Sequence, residues 1–168
     1  MPKEPKKLND LFYDTLKDIY YSEQHILKAL PKMAKAARSS QLQAAFTKHH
    51  KETEGQVARL EKVFQIINQP VKAKKCEATE GLLKEGEEIM DEYKDSPALD
   101  AGLLAAAQAV EHYEISRYGT MKTWASELGL QQAVKLLDQT LTEEKNTDAA
   151  LTELAEEVVN QEAQQAAE

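Results

Sequence analysis

The sequence predicts an all-α protein, and more closely an antiparallel four-helix bundle with one long crossover carrying an extra short helix. Only six Gly and five Pro occur among the 168 residues, and much of the remainder is Ala, Glu, Lys, Leu and Gln, which favour long helices. Apolar residues recur every three or four positions, as they do on one face of a helix. The few helix breakers fall between these periodic stretches. The length predicts a single domain over residues 1–168.

The first two helices are predicted to form a hairpin. The first covers about 8–37 and contains Pro31, which should kink or locally break it. The second covers about 41–68, opens on a capping box that begins at Ser40, and stops before Pro70. Because the connection between them is very short, the two helices must run antiparallel.

The remaining three helices complete the prediction. A short helix at about 77–93 lies in the crossover, which spans about 28 residues. A long helix at about 97–128 opens with Pro97 at its first position, where proline is well tolerated. Gly129 separates it from the last helix, at about 131–160. Each of the four long helices has about 30 residues and should be about 45 Å long.

Composition excludes several classes of function. With 29 Asp and Glu against 21 Lys and Arg, the formal charge is −8, and an acidic chain is a poor partner for nucleic acid. The single cysteine, Cys76, excludes an internal disulfide and Cys-rich zinc or iron–sulfur sites. The first ten residues contain no apolar stretch that could act as a signal peptide, and no apolar run approaches the roughly 20 residues of a membrane span. The expectation is a soluble cytoplasmic protein without a membrane partner.

Polar residues interrupt the apolar seam of every long helix near its middle. They are Glu23 in the first, His49, Glu52, Thr53 and Gln56 in the second, Glu111 and Glu114 in the third, and Glu144 and Asp148 in the fourth. The midpoints of equal antiparallel helices lie at one level. We therefore expect these side chains to meet in the middle of the core.

The free-energy cost of burying these carboxylates indicates that they bind cations. Burying one unpaired carboxylate costs several kcal/mol, and no Lys or Arg stands at these seam positions to compensate. Two metal cations would balance four to six carboxylates, and oxygen-rich ligation with one imidazole suits iron or manganese better than zinc. The predicted ligands are Glu23, His49, Glu52, Glu111, Glu114, Glu144 and Asp148. Thr53 and Gln56 are expected to hydrogen-bond the ligating carboxylates.

Several motifs point to a family. They are Tyr21-Ser22-Glu23-Gln24, Ala29-Leu30-Pro31-Lys32-Met33, His49-x-x-Glu52-Thr53-x-x-Gln56, Lys75-Cys76, Glu80-Gly81-Leu82, Val110-Glu111-His112-Tyr113-Glu114-Ile115 and Glu143-Glu144-Lys145. Together they resemble the YciE/YciF-like stress-response proteins of the ferritin-like superfamily over nearly the whole chain. The resemblance implies a ferritin-like bundle with a dinuclear centre, usually discussed as iron, in a protein that often forms a homodimer. It implies no settled reaction.

The chain departs from the general ferritin-like pattern at two places. The second helix reads His49-x-x-Glu52, where that pattern has Glu-x-x-His. In the last helix Thr147 stands where His would be, followed by Asp148. A weaker second metal position is therefore expected.

Three functions remain open from sequence. The first is an oxidoreductase whose di-iron or di-manganese centre reacts with oxygen or peroxide. The second is a non-catalytic stress-response protein in which metal only stabilises the fold. The third is a structural or partner-binding dimer without useful metal chemistry.

Overall fold

A computed structural model of the chain describes residues 4–165, and within that range the fold is all-helical, as predicted. The helices are α1 (Leu8–Ala36), α2 (Ser40–Ile66), α3 (Glu77–Glu92), α4 (Leu99–Glu127), α5 (Gln131–Leu154) and α6 (Asn160–Gln165), with a π-helical turn at Ala155–Val159 between the last two. None of the described helices combines the length and apolar character needed to cross a membrane.

Two helix starts differ from the predicted positions. Ser39, and not Ser40, caps α2, because its side chain accepts a hydrogen bond from the Leu42 N–H at 3.4 Å. In the same way α4 begins at Leu99 and not at Pro97. The Ser96 hydroxyl accepts from the Ala98 N–H at 3.1 Å, so this segment forms a turn before the helix.

Pro31 does not end or divide α1, which is helical on both sides of it. Its side chain lies on the exposed face of the helix. Proline has no backbone N–H group to donate to the carbonyl oxygen one turn earlier in the helix. On this exposed face, water can donate to that oxygen instead.

The last predicted helix, 131–160, is divided. α5 ends at Leu154, a π-helical turn follows, and α6 continues to Gln165. Leu151, Ala155 and Val159 are spaced four residues apart and are all buried. Positions four apart lie on one face of a helix, so the three side chains face the core on both sides of and within the π-helical turn.

The four long helices pack as a closed ring. α1 contacts α2 and α4, and α5 contacts the same two helices from the other side, while α3 covers α4 and α1. The connection between α1 and α2 is tied down by Asp100 of α4, whose carboxylate accepts from the backbone N–H groups of Arg38 at 2.8 Å and Ser39 at 2.6 Å.

The buried apolar side chains form two separate clusters. The first cluster comprises Phe12, Leu16, Ile19, Tyr20, Leu60, Val63, Phe64, Tyr118, Met121, Ala125, Ala133, Leu137 and Leu141. The second comprises Ile26, Leu30, Met33, Ala37, Leu42, Phe46, Leu99, Leu103, Leu104, Ala107, Val110, Leu151, Ala155 and Val159. Each cluster takes one half of every long helix, and the middle of each helix belongs to neither.

This division fixes the helix directions. The first cluster contains the beginnings of α1 and α5 and the ends of α2 and α4, and the second contains the opposite halves. Neighbours in the ring are therefore antiparallel, and α2 runs in the same direction as α4. A chain that leaves α2 must travel back along about 40 Å of helix before α4 can begin, which is why the connection at 67–98 is long enough to carry α3.

Candidate metal centre

A layer of polar side chains separates the two apolar clusters. It is formed by Glu23, His49, Gln56, Glu111, Glu114 and Glu144, each at most 3% exposed. These residues are called the polar layer below. All four long helices contribute, as the interrupted seams predicted, because each polar residue lies between apolar positions of the same helix face.

Four members of the polar layer are arranged like metal ligands. His49, Glu111, Glu114 and Glu144 each offer one ligand atom, and these atoms lie within 4.8 Å of one another. The His49 Nε2 is 2.9 Å from the Glu111 Oε1, but the two groups do not have the geometry of a hydrogen bond. Three carboxylates and one imidazole at this spacing form a donor set suited to iron or manganese.

Glu23 lies beside this group. It is fully buried, and one of its carboxylate oxygens accepts a hydrogen bond from the Tyr118 hydroxyl, which is also fully buried. Burial, together with the negative charge of Glu144, raises the pKa of Glu23 to about 8. Glu23 is thus a fourth carboxyl group that resists ionisation in the same space.

The other three carboxyl groups show the same effect. Burial raises the pKa of Glu111 to about 7, helped by the charges of Glu23, Asp148 and Glu52. Burial also raises the pKa of Glu114 and of Glu144 well above the usual value, and their neighbouring carboxylates add to it. Four adjacent carboxyl groups therefore need protons or cations to remain in the core.

Hydrogen bonding within the protein does not satisfy this layer. Among the described residues, the buried side-chain nitrogen and oxygen atoms without a hydrogen-bond partner all belong to it. They are Glu23 Oε2, His49 Nδ1 and Nε2, Gln56 Oε1, Glu111 Oε2, both oxygens of Glu114, and Glu144 Oε2. Buried polar atoms are normally paired, and a group of exceptions in one place indicates a missing ion or water. The donor set thus fits bound metal.

Gln56 and Thr53 were both expected to hydrogen-bond the ligating carboxylates, but only Gln56 does so. Gln56 donates to Glu144 and, at 3.2 Å, to the Glu143 Oε2, which agrees with the role expected for it. Thr53 does not contact a carboxylate. Its hydroxyl donates to the His49 carbonyl oxygen at 2.8 Å, because the carbonyl four residues earlier is the nearest acceptor on its own helix.

Glu52 and Asp148, both predicted ligands, lie at the edge of the polar layer and outside the 4.8 Å group. The side chain of Glu52 is 26% exposed and pairs with Lys48 at 3.6 Å. That of Asp148 is 22% exposed and contacts the His112 Nε2 at 3.0 Å. The structure therefore buries five of the seven predicted residues together in the polar layer and leaves these two partly exposed at its edge.

Two features of the site were not predicted from the sequence. The Tyr118 hydroxyl donates a hydrogen bond to Glu23, and the position of Tyr118 one turn after Glu114 was the available signal. Arg59 binds Glu143 through two contacts, at 2.9 and 2.5 Å, and also donates to Thr140 at 2.6 Å. This ion pair lies beside Gln56 and leaves the polar layer itself without a cation.

Comparison with known proteins gives consistent results. A family model described as a domain of unknown function, DUF892, matches residues 7–164. Protein YciF of Escherichia coli is 44% identical over 160 residues, which cover 95% of this chain and 96% of YciF. The crystal structure of that stress protein matches with a TM-score of 0.88, covering 93% of this chain and 99% of YciF.

A second solved structure agrees. YcfI of Rhodopseudomonas palustris, for which a structural role has been suggested, is 43% identical, with a TM-score of 0.85 over 90% of this chain and 97% of YcfI. The family match and the 44% identity to YciF each extend over nearly the whole chain. The chain therefore belongs to the DUF892 family and is similar to the stress protein YciF.

Proposed function

We propose that this chain is a ferritin-like four-helix bundle protein with a dinuclear metal centre that reacts with oxygen or peroxide during stress response. The metal is iron, with manganese as the alternative. The observation that carries the proposal is the set of unpaired buried atoms, which belong to one layer and to residues of all four long helices. Nothing else in the described structure supplies their missing partners.

Charge balance supports two ions. Glu23, Glu111, Glu114 and Glu144 carry four negative charges when ionised, and they are all at most 1% exposed. Two divalent cations neutralise four carboxylates. Metal binding also favours the ionised form of each ligand, which offsets the cost of burying it.

The ligand assignment follows the burial. His49, Glu111, Glu114, Glu144 and Glu23 would hold the ions, and the partly exposed Glu52 and Asp148 are proposed as the outer members of the set. The His49 Nδ1 and Nε2 both lack hydrogen-bond partners, so the imidazole is available as a ligand.

The remaining residues orient the ligands and keep water out. The Tyr118 hydroxyl holds a proton toward Glu23, and the Gln56 amide does the same toward Glu144, which fixes the orientation of both carboxylates. The two apolar clusters close the layer from both ends. Bound redox-active ions would supply electrons and Lewis acidity to an oxidant.

Similarity to a protein described as a stress protein supports the role in stress response. A cytoplasmic homodimer is part of the same proposal. The alternative is a non-catalytic stress-response dimer in which metal only stabilises the fold. The structural role suggested for YcfI favours that alternative.

Metal analysis and reaction with oxidant test the proposal in turn. Protein purified from its native host without chelators should contain close to two equivalents of iron or manganese per chain by elemental analysis. The reduced, loaded protein should then consume oxygen or peroxide, with a change in the absorption of its metal centre. Metal without any reaction would favour the non-catalytic alternative, and absence of metal would refute both.

A further inference from the structure

Three adjacent cavities lie between the protein surface and the polar layer, among α1, α3 and α4. The outermost is a groove of about 600 Å³, bordered by Lys28, Lys75 and Lys84 among others. Behind it lie a middle cavity and an inner cavity of about 20 Å³ each. The inner one reaches His49 and Glu111.

The three cavities are adjacent, because they share lining residues. Ala29 and Leu83 line all three. Met33 and Val110 line both the middle and the inner cavity. The side chains of Ala29 and Leu83 thus border both the groove at the surface and the inner cavity that reaches His49 and Glu111.

The residues that line the middle and inner cavities determine which ions or molecules can enter them. Apart from Lys32 and Glu87 at its outer end, the middle cavity is lined by apolar side chains and by Gly86. The inner cavity is apolar except for His49 and Glu111 themselves. An ion would lose its hydration there without a replacement. About 20 Å³ exceeds the roughly 10–15 Å³ that one water-sized molecule needs, so each cavity has room for a single small molecule.

We propose that these adjacent cavities open into one another as their lining side chains move, and so form a passage that admits dioxygen to the metal centre, with α3 as its outer wall. Dioxygen is uncharged, apolar and small enough for each cavity. The reaction at the inner end rests on the function proposed above, whereas the passage itself is a property of Ala29, Met33, Leu83 and Val110 and does not depend on it. α3 accordingly has a role beyond bridging the distance between α2 and α4.

The first test uses dioxygen as a paramagnetic probe. The full chain is loaded with Zn²⁺, which is diamagnetic and redox-inactive, and methyl relaxation is measured by NMR under dioxygen pressure. We expect relaxation of the Met33 methyl to be enhanced more than that of Leu141, the matched control. The two are equally buried at 7% exposed, but only Met33 lines the passage. Equal enhancement at both methyls would overturn the proposal.

The second test changes the width of the passage. A Cβ at Gly86 would meet the Ala106 Cβ at 3.8 Å, an ordinary contact, so Gly86→Ala should fold while narrowing the middle cavity. Leu83→Ala should widen all three. The control is Gly81→Ala, because a Cβ there meets nothing within 4 Å and Gly81 borders only the outer groove.

With iron-loaded protein, oxidation by dioxygen should slow about threefold or more in Gly86→Ala and be unchanged in Gly81→Ala, since a methyl group fills about one small-molecule volume. Oxidation by ferricyanide, which is charged and too large to enter, should be the same in both. Equal dioxygen rates in all variants would refute the passage. If the loaded protein reacts with neither dioxygen nor peroxide, the proposed function fails, and the relaxation measurement still decides the passage.

Discussion

Raising the pH should destabilise the metal-free protein. The carboxyl groups of Glu23 and Glu111 have folded-state pKa values of about 8 and about 7, above their usual value of 4.5. Between pH 4.5 and these values the folded protein binds more protons than the unfolded chain. Stability therefore decreases as pH rises through this interval, because the unfolded state gains from ionisation that burial opposes.

The size of the effect follows from the same values. For Glu111, the difference between 4.5 and about 7 corresponds to about 3 kcal/mol at about 1.4 kcal/mol per pH unit. For Glu23, the difference between 4.5 and about 8 corresponds to about 5 kcal/mol on the same scale. The groups interact, so their contributions are not simply additive. Even about 3 kcal/mol is a large part of the roughly 5–15 kcal/mol by which domains are stable.

The assay is urea unfolding in the presence of EDTA, monitored by circular dichroism, at a series of pH values from 5 to 8. The free energy of unfolding should fall across the series. Glu111→Gln removes one titrating group, and its curve should be flatter between pH 5 and 7. Metal-loaded protein should lose this pH dependence, because cations take the place of the protons. Stability of the metal-free protein that is constant or increases from pH 5 to 8 would refute the reasoning.

Three further predictions concern the same layer. Glu144→Ala should lower the metal content to half or less by elemental analysis, whereas Glu153→Ala, at an exposed position of the same helix, should not; unchanged occupancy would remove Glu144 from the ligand set. EDTA should lower the melting temperature, since a ligand bound only by the folded state stabilises it; melting that does not respond to chelation would argue against cations as the counter-charge. Tyr118→Phe removes the donor to the buried Glu23 and should cost about 1–3 kcal/mol in chemical denaturation, an expectation that wild-type stability would contradict.

Much of the polar layer was predictable because it depends on helix periodicity alone. The spacing of Glu23, Glu111, Glu114 and Glu144 places each on the buried face of its helix. Helix lengths and short connections then bring the middles of the helices to one level. Neither step requires knowledge of side-chain rotamers or of the way the helices rotate against each other.

Details at the ends of the helices depended on contacts that are distant in sequence. The carboxylate of Asp100, on α4, binds the backbone between α1 and α2, and nothing in the local sequence around Ser39 indicates that partner.

The sequence by itself determined that long helices form and that their polar residues meet in the core, because period and length are local properties of the chain. Only the tertiary structure decided that Glu52 and Asp148 lie at the edge of the layer, that Tyr118 supports Glu23, and that adjacent cavities lie beside α3. These features depend on the rotation and separation of packed helices. Side chains from several helices set both quantities at once, so they cannot be read from any single segment.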